Sequence, residues 1–291
     1  MDRLYGIAPP GFRLADQTHV GAVVLQVADL DRSIDYYGGV LGLRVLERAS
    51  DAAALGPHRT GRALVRLRQR PDARPAHGEL GLYHFAILLP DRPALGRFAA
   101  HLGRLGVRVG MADHLVSEAL YLTDPDRLGI EVYADRPRDT WRHRGRELAM
   151  ASDPLELRSV IAAAGGAEWD GMPAGTTMGH IHLHVGDLER AETFYHAALG
   201  FDKMVWSYPG ALFLAAGGYH HHLGTNVWSR GPSAAPDQAR LLEWELIVPD
   251  AAGAAAAAGS LQAAGFGAKA EGGGWVTADP WGTELRIVAG S

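Results

Sequence analysis

The sequence predicts an α+β fold built from four βαβββ units, and three observations carry that prediction. The segment AVVLQVADLDRSIDYYGGVLGL at 22–43 is repeated as HIHLHVGDLERAETFYHAALGF at 180–201. In both, alternation of period two gives way to helical spacing at an Asp-Leu turn. Two weaker copies, HFAILLPDRPALGRFAAHLGRLGV at 84–107 and EWELIVPDAAGAAAAAGSLQAAGF at 243–266, follow the same plan.

Each element follows from its local pattern. In unit one an alternating strand leads to a helix whose Leu30, Ile34, Tyr37 and Leu41 lie at helical spacing. Asp29 stands where the N-cap acceptor of that helix belongs. Unit two has a strand, a Pro-Asp turn, a helix and a Leu-Gly close. Unit three repeats unit one, with Leu188, Ala191, Phe194, Tyr195 and Leu199 along the helix and Asp187 at its cap. Unit four has an alanine-rich helix. Short turn-separated β-runs follow each helix, such as EALYLTD and GIEVYAD in unit two and WVTADPWGTELRIV in unit four. Between units two and three runs a polar stretch with a predicted helix around 154–164. The chain is therefore divided into an N-terminal domain at 1–140 (units one and two), a linker with helix at 141–178 and a C-terminal domain at 179–291 (units three and four).

Composition narrows the function classes. The 291 residues are 47% hydrophobic and 21% charged, as expected of an ordinary globular chain. A net charge of −5 argues against a nucleic-acid partner, whose phosphates call for a basic face. The absence of cysteine excludes disulfides, thiolate metal sites and cysteine nucleophiles. The start, Met1-Asp2-Arg3-Leu4-Tyr5, has no apolar leader pattern, and no apolar run reaches membrane-spanning length. The expectation is a cytoplasmic protein with no membrane partner; assembly into a homo-oligomer is left open. The 14 histidines are unevenly placed, with His180, His182 and His184 on one strand and His220, His221 and His222 in a run. Clustering of this kind suggests metal or acid–base chemistry.

The four units resemble the vicinal oxygen chelate superfamily, which includes glyoxalase I, bleomycin-resistance proteins and extradiol dioxygenases. The resemblance covers nearly the whole chain and is closest to the four-module catechol-2,3-dioxygenase-like proteins. It is carried by LYHFAILLPDR, DHLVSEALYLTDPDRLGIEVYADRPRDTW, GHIHLHVGDL and GGYHHHLGTNVW. In that superfamily one metal-ligand position lies in the first strand of a unit, seven residues before the turn Asp. That register gives Ala22, His84, His180 and Glu243 in the four units. A second position lies in the last strand, two residues past a glycine, which gives Glu131 in unit two and Glu284 in unit four. Unit one has Ala63 at its nearest equivalent and unit three the 220–222 run.

Pairing of units decides the chemistry the resemblance implies. Units two and three together offer His84, Glu131 and His180, the two-imidazole, one-carboxylate set that non-haem Fe(II) oxygenases use. Units three and four offer His180, Glu243 and Glu284, with a histidine of 220–222 as an optional further donor, a more glyoxalase-like set. Units one and two hold only two ligands, and units one and four hold no histidine ligand. Tyr121 and His114, upstream of Glu131, correspond to residues on the substrate side of the metal in extradiol enzymes, and His182 is placed there with them. Strand alternation puts His220 and His222 on one face, so one of these is the candidate acid–base residue, with His221 turned away. The reading is an extradiol dioxygenase that takes a small aromatic diol and O₂ and uses Fe(II), with Mn(II) compatible with the same donors. The rivals are a glyoxalase-like isomerase or lyase with Ni(II) or Zn(II), and a metal-free protein that binds an aromatic compound.

Overall fold

The computed structural model describes residues 5–290; residues 1–4, from which the missing leader pattern was read, lie outside the described residues. Unit one comprises β1 (His19–Val27), α1 (Leu30–Gly39), β2 (Arg44–Arg48), β3 (Ala52–Gly56) and β4 (Val65–Gln69). Unit two comprises β5 (Gly81–Leu88), α2 (Arg92–Leu105), β6 (Gly110–Asp113), β7 (Ser117–Thr123) and β8 (Gly129–Asp135). A small hairpin, β9 (His143–Arg144) and β10 (Glu147–Leu148), and α3 (Leu157–Ala163) follow within the connecting stretch. Unit three comprises β11 (Thr177–His184), α4 (Leu188–Ala191) running into a π-helical turn (Glu192–Ala198), β12 (Asp202–Val205), β13 (Ala211–Ala215) and β14 (Leu223–Asn226). Unit four comprises β15 (Arg240–Val248), α5 (Ala251–Ala263), β16 (Ala268–Glu271), β17 (Gly274–Ala278) and β18 (Glu284–Ala289).

The same aspartate opens each unit's helix. Asp29, Asp91, Asp187 and Asp250 accept from the backbone N–H three residues on, at 3.0, 2.7, 2.7 and 2.8 Å. An N-cap of this kind satisfies one of the orphan donors of the first turn.

The strands form two 8-stranded sheets, ordered β16-β17-β18-β15-β1-β4-β3-β2 and β12-β13-β14-β11-β5-β8-β7-β6. Units one and four share the first, units two and three the second. Of the pairings open at the sequence level, hydrogen bonding thus selects two with three. Alternation sorts the side chains of β5: Phe85 and Ile87 enter the main core, while His84 and Ala86 face the inside of the curled sheet. Among the described residues no helix is long and apolar enough to cross a membrane.

The register corrects one expectation. In unit two Ala86 lies beside Glu131, and in unit one the corresponding Val24 lies beside Arg66. Arg66, rather than Ala63, therefore occupies the unit-one counterpart of Glu131. The loop before β4 is longer than glycine spacing alone suggests.

Candidate metal centre

Three adjacent strands bring the predicted donors together. His180 on β11 and Glu131 on β8 both pair across Ala86 on the central strand β5, and His84 lies two residues away on the same face of β5. Ala86 has only a methyl group, so the two longer side chains lean over it toward His84. His84 Nε2 is 3.0 Å from Glu131 Oε2 and 3.3 Å from His180 Nε2, and His180 Nε2 is 3.2 Å from Glu131 Oε2. All three residues are buried. Donors about 2.1 Å from a common ion and at right angles to one another lie about 3.0 Å apart. The observed separations fit one face of such a coordination sphere.

Two glycines permit this approach. A Cβ at Gly129 would sit 2.0 Å from the Tyr83 carbonyl oxygen, and one at Gly179 would sit 1.9 Å from the Tyr133 hydroxyl. Gly179 lies at the irregularity between Met178 and His180, where β11 turns its imidazoles inward.

The electrostatics suit a cation. Burial pushes the Glu131 carboxyl up, but the imidazoles of His180 and His84 outweigh it and hold the group well below its usual range. Burial lowers His180 to about 4, against the opposing pull of Glu131, so its ring is neutral at pH 7. A ionised carboxylate and neutral imidazoles are the forms that bind metal. His180 Nδ1 is buried without a hydrogen-bond partner. Its ring instead packs on His221, with centroids 4.0 Å apart.

A cavity of about 170 Å³ opens over the three donors, bounded also by Tyr121, His182, His221 and Trp228. His114 Nδ1 donates to the Ala151 carbonyl at 2.6 Å, so its Nε2 accepts from the Tyr121 hydroxyl at 2.5 Å. His182 and His184 are both held by Asn226, at 3.0 and 2.7 Å. His114, Tyr121 and His182 thus line the cavity.

The 220–222 run does not. Residues 216–222 form an irregular loop rather than a strand, so alternation fails there. His221, expected to face away, lines the cavity. His220 and His222, expected to face it, turn elsewhere. His220 Nε2 donates to Asp135 at 2.9 Å, and His222 Nδ1 accepts from the Ala216 N–H at 3.2 Å. His220 Nδ1 then accepts from His221 Nδ1 at 2.7 Å, which leaves a lone pair on His221 Nε2. Burial, with the neighbouring histidines His180 and His220, holds His221 well below its usual range, so the ring is neutral. The hydrogen-bonded chain Asp135–His220–His221 was hidden in the sequence because Asp135 lies 85 residues from His220.

The alternative donor set is not assembled. Glu243 and Glu284 are neighbours in the other sheet, and Glu243 is engaged by Arg286 at 2.9 and 2.8 Å.

Comparison with known proteins agrees with this architecture. Residues 19–132 and 177–282 match the Glyoxalase/Bleomycin resistance protein/Dioxygenase superfamily model. A catechol-2,3-dioxygenase from Bacillus subtilis (strain 168) is 44% identical over 239 residues, covering 80% of this chain and 83% of that protein. Among solved structures, a putative dioxygenase from Bacillus subtilis subsp. subtilis str. 168 superposes with a TM-score of 0.66 at 13% identity, covering 96% of this chain and 86% of that one. Glyoxalase I from Zea mays superposes with a TM-score of 0.57 at 19% identity, covering 94% of this chain and 92% of that one. At those identities the two structures speak for the fold alone.

Proposed function

Because the chain belongs to the glyoxalase/bleomycin resistance protein/dioxygenase superfamily, we propose that it is an extradiol dioxygenase, which opens a catechol-type ring beside its two hydroxyls using O₂. The observation that carries this reading is the convergence of His84, Glu131 and His180 within hydrogen-bonding distance of one another on the inner face of one sheet. These residues would hold Fe(II), and the same donors accept Mn(II). A bound ion would lower the pKa of a chelating diol and keep positions free for substrate and oxygen.

The chain's own residues supply the rest. His221, neutral and with Nε2 unprotonated, accepts a proton from a substrate hydroxyl in the cavity. Asp135 and His220 hold it in that tautomer. Tyr121, hydrogen-bonded to His114, lines the cavity beside the centre. His182, fixed by Asn226, and Trp228 close the wall against which a ring packs. A volume of about 170 Å³ suits a single aromatic ring, since a cavity of roughly 150 Å³ holds benzene. A cytoplasmic setting, where reductants keep iron ferrous, suits this chemistry.

Metal analysis of protein purified without chelator, together with oxygen uptake on catechol, tests the reading. Iron or manganese and catechol-dependent oxygen uptake are expected, and His84→Ala should remove most of the metal while Glu284→Ala retains it. Nickel or zinc with no uptake would favour a glyoxalase-like enzyme, and the absence of any metal a binding protein. Metal lost in Glu284→Ala but kept in His84→Ala would move the centre to the other sheet.

A further inference from the structure

A second cavity, about 360 Å³, adjoins the first and shares Tyr83, His84 and Tyr121 with it. Its far wall comes from the segment joining units three and four, through Ala234 and Ala239, and from Arg240 at the start of β15, and Arg127 at the turn before β8 also lines it. The second cavity is the larger of the two, and the first already accommodates a ring. A substrate of one ring would leave the second space unused.

Its lining sets two guanidiniums against one carboxylate. Arg240 is half-buried and lines this cavity. Arg127 has only His77 Nδ1 beside it, at 3.3 Å. Neither guanidinium is ion-paired with a carboxylate among the described residues. The one carboxylate in the lining, Glu79, is already engaged: one oxygen accepts from Gln238 Nε2 and the other from the His77 N–H at 2.7 Å. A half-buried guanidinium without an anionic partner favours an acceptor that the cavity admits.

We infer that the second cavity binds an anionic substituent of the substrate, so that the preferred substrate is an aromatic diol carrying a carboxylate on a short chain. The ring occupies the cavity over His84, Glu131 and His180, and the carboxylate reaches Arg240 and Arg127, which accept it as charge-assisted hydrogen-bond donors. This inference rests on the dioxygenase reading for the position of the ring, but not for the recognition of the acid.

The test compares catechol, 3-(3,4-dihydroxyphenyl)propanoate and the methyl ester of that acid, by oxygen uptake and by calorimetric binding under argon. The acid should exceed its ester in kcat/KM and in affinity by about 10- to 100-fold, the range for hydrogen bonds to a charged group. Arg240→Met should erase most of that preference and leave catechol turnover near wild type. Arg240→Lys should restore part of it, because the charge returns without the fork. Arg127→Met, on an exposed turn, should reduce the preference without risk to the β1–β15 pairing that Arg240 joins. If catechol is turned over but acid and ester are equivalent, the inference fails and the dioxygenase reading stands. If catechol is not turned over, the dioxygenase reading fails, and calorimetry alone decides: tighter binding of the acid, lost in Arg240→Met, supports the anionic site, and equal binding overturns it.

Discussion

His221 shows how much a single side chain depends on its loop. It sits in a histidine run, yet it alone of the three reaches the cavity, because the chain there is irregular and Asp135 draws His220 outward. The proposed role of His221, moving protons without holding the ion, should separate the two readouts. His221→Ala is expected to keep near-normal metal and to lose about 10²- to 10⁴-fold in kcat, the usual contribution of a general acid–base group. His222→Ala should leave kcat nearly unchanged and lower stability, because the Ala216 N–H loses its buried acceptor. Metal content beside oxygen uptake decides both. A His221 variant stripped of metal would make that residue a ligand.

Between elements, the helix tyrosine visible in the repeat has a defined partner. The Tyr37 hydroxyl of α1 donates to Asp124 in the turn before β8 at 3.2 Å, and that of Tyr195 donates to Asp279 in the turn before β18 at 2.8 Å. Each bond ties a unit to the next one in the chain, whereas the sheets join other pairs. Burial, helped by the negative charge of Asp126, raises Asp124 to about 7 against donors from Leu128, Asp126 and Tyr37. The sign follows from linkage. Below its ordinary 3.8 the group is protonated in both folded and unfolded chains, and the full stabilising contribution is present. As pH rises from there to 7 the unfolded chain ionises first, and up to about 4 kcal/mol of that contribution is lost. The urea midpoint of the wild type should therefore fall between pH 5.5 and 8, and Asp124→Asn should flatten the fall; an unchanged slope in the variant would assign it to other groups. A tighter constraint lies in β8. Gly129→Ala pushes a methyl group into the Tyr83 carbonyl, so it should cost about 3 kcal/mol or more and weaken metal retention, since Glu131 lies two residues on. Thermal denaturation with and without added metal measures both effects.

For the whole molecule, the arrangement of sheets determines which half of the chain contributes to the centre. His84 and Glu131 come from 1–140 and His180 from 179–291, across the β5–β11 pairing. The division into these two domains is a proposal that a split chain tests. Expressed separately, residues 1–140 and 141–291 should each fail to retain metal, having at most two of the three donors, and mixing them should restore it. Retention by either half alone would contradict the assigned centre.

The sequence by itself determined the βαβββ units and the aspartate caps of units one and three, and its resemblance to the superfamily singled out His84, Glu131 and His180. Each of these is written in a local pattern: alternation along a strand, helical spacing after a turn, a fixed distance from an aspartate or a glycine. Tertiary structure alone decided that unit two joins unit three, that Arg66 stands at the unit-one counterpart of Glu131, and that His221 rather than its neighbours faces the cavity. Strand partners are chosen by contacts between residues far apart in the chain, and an irregular loop has no period from which a facing side can be read.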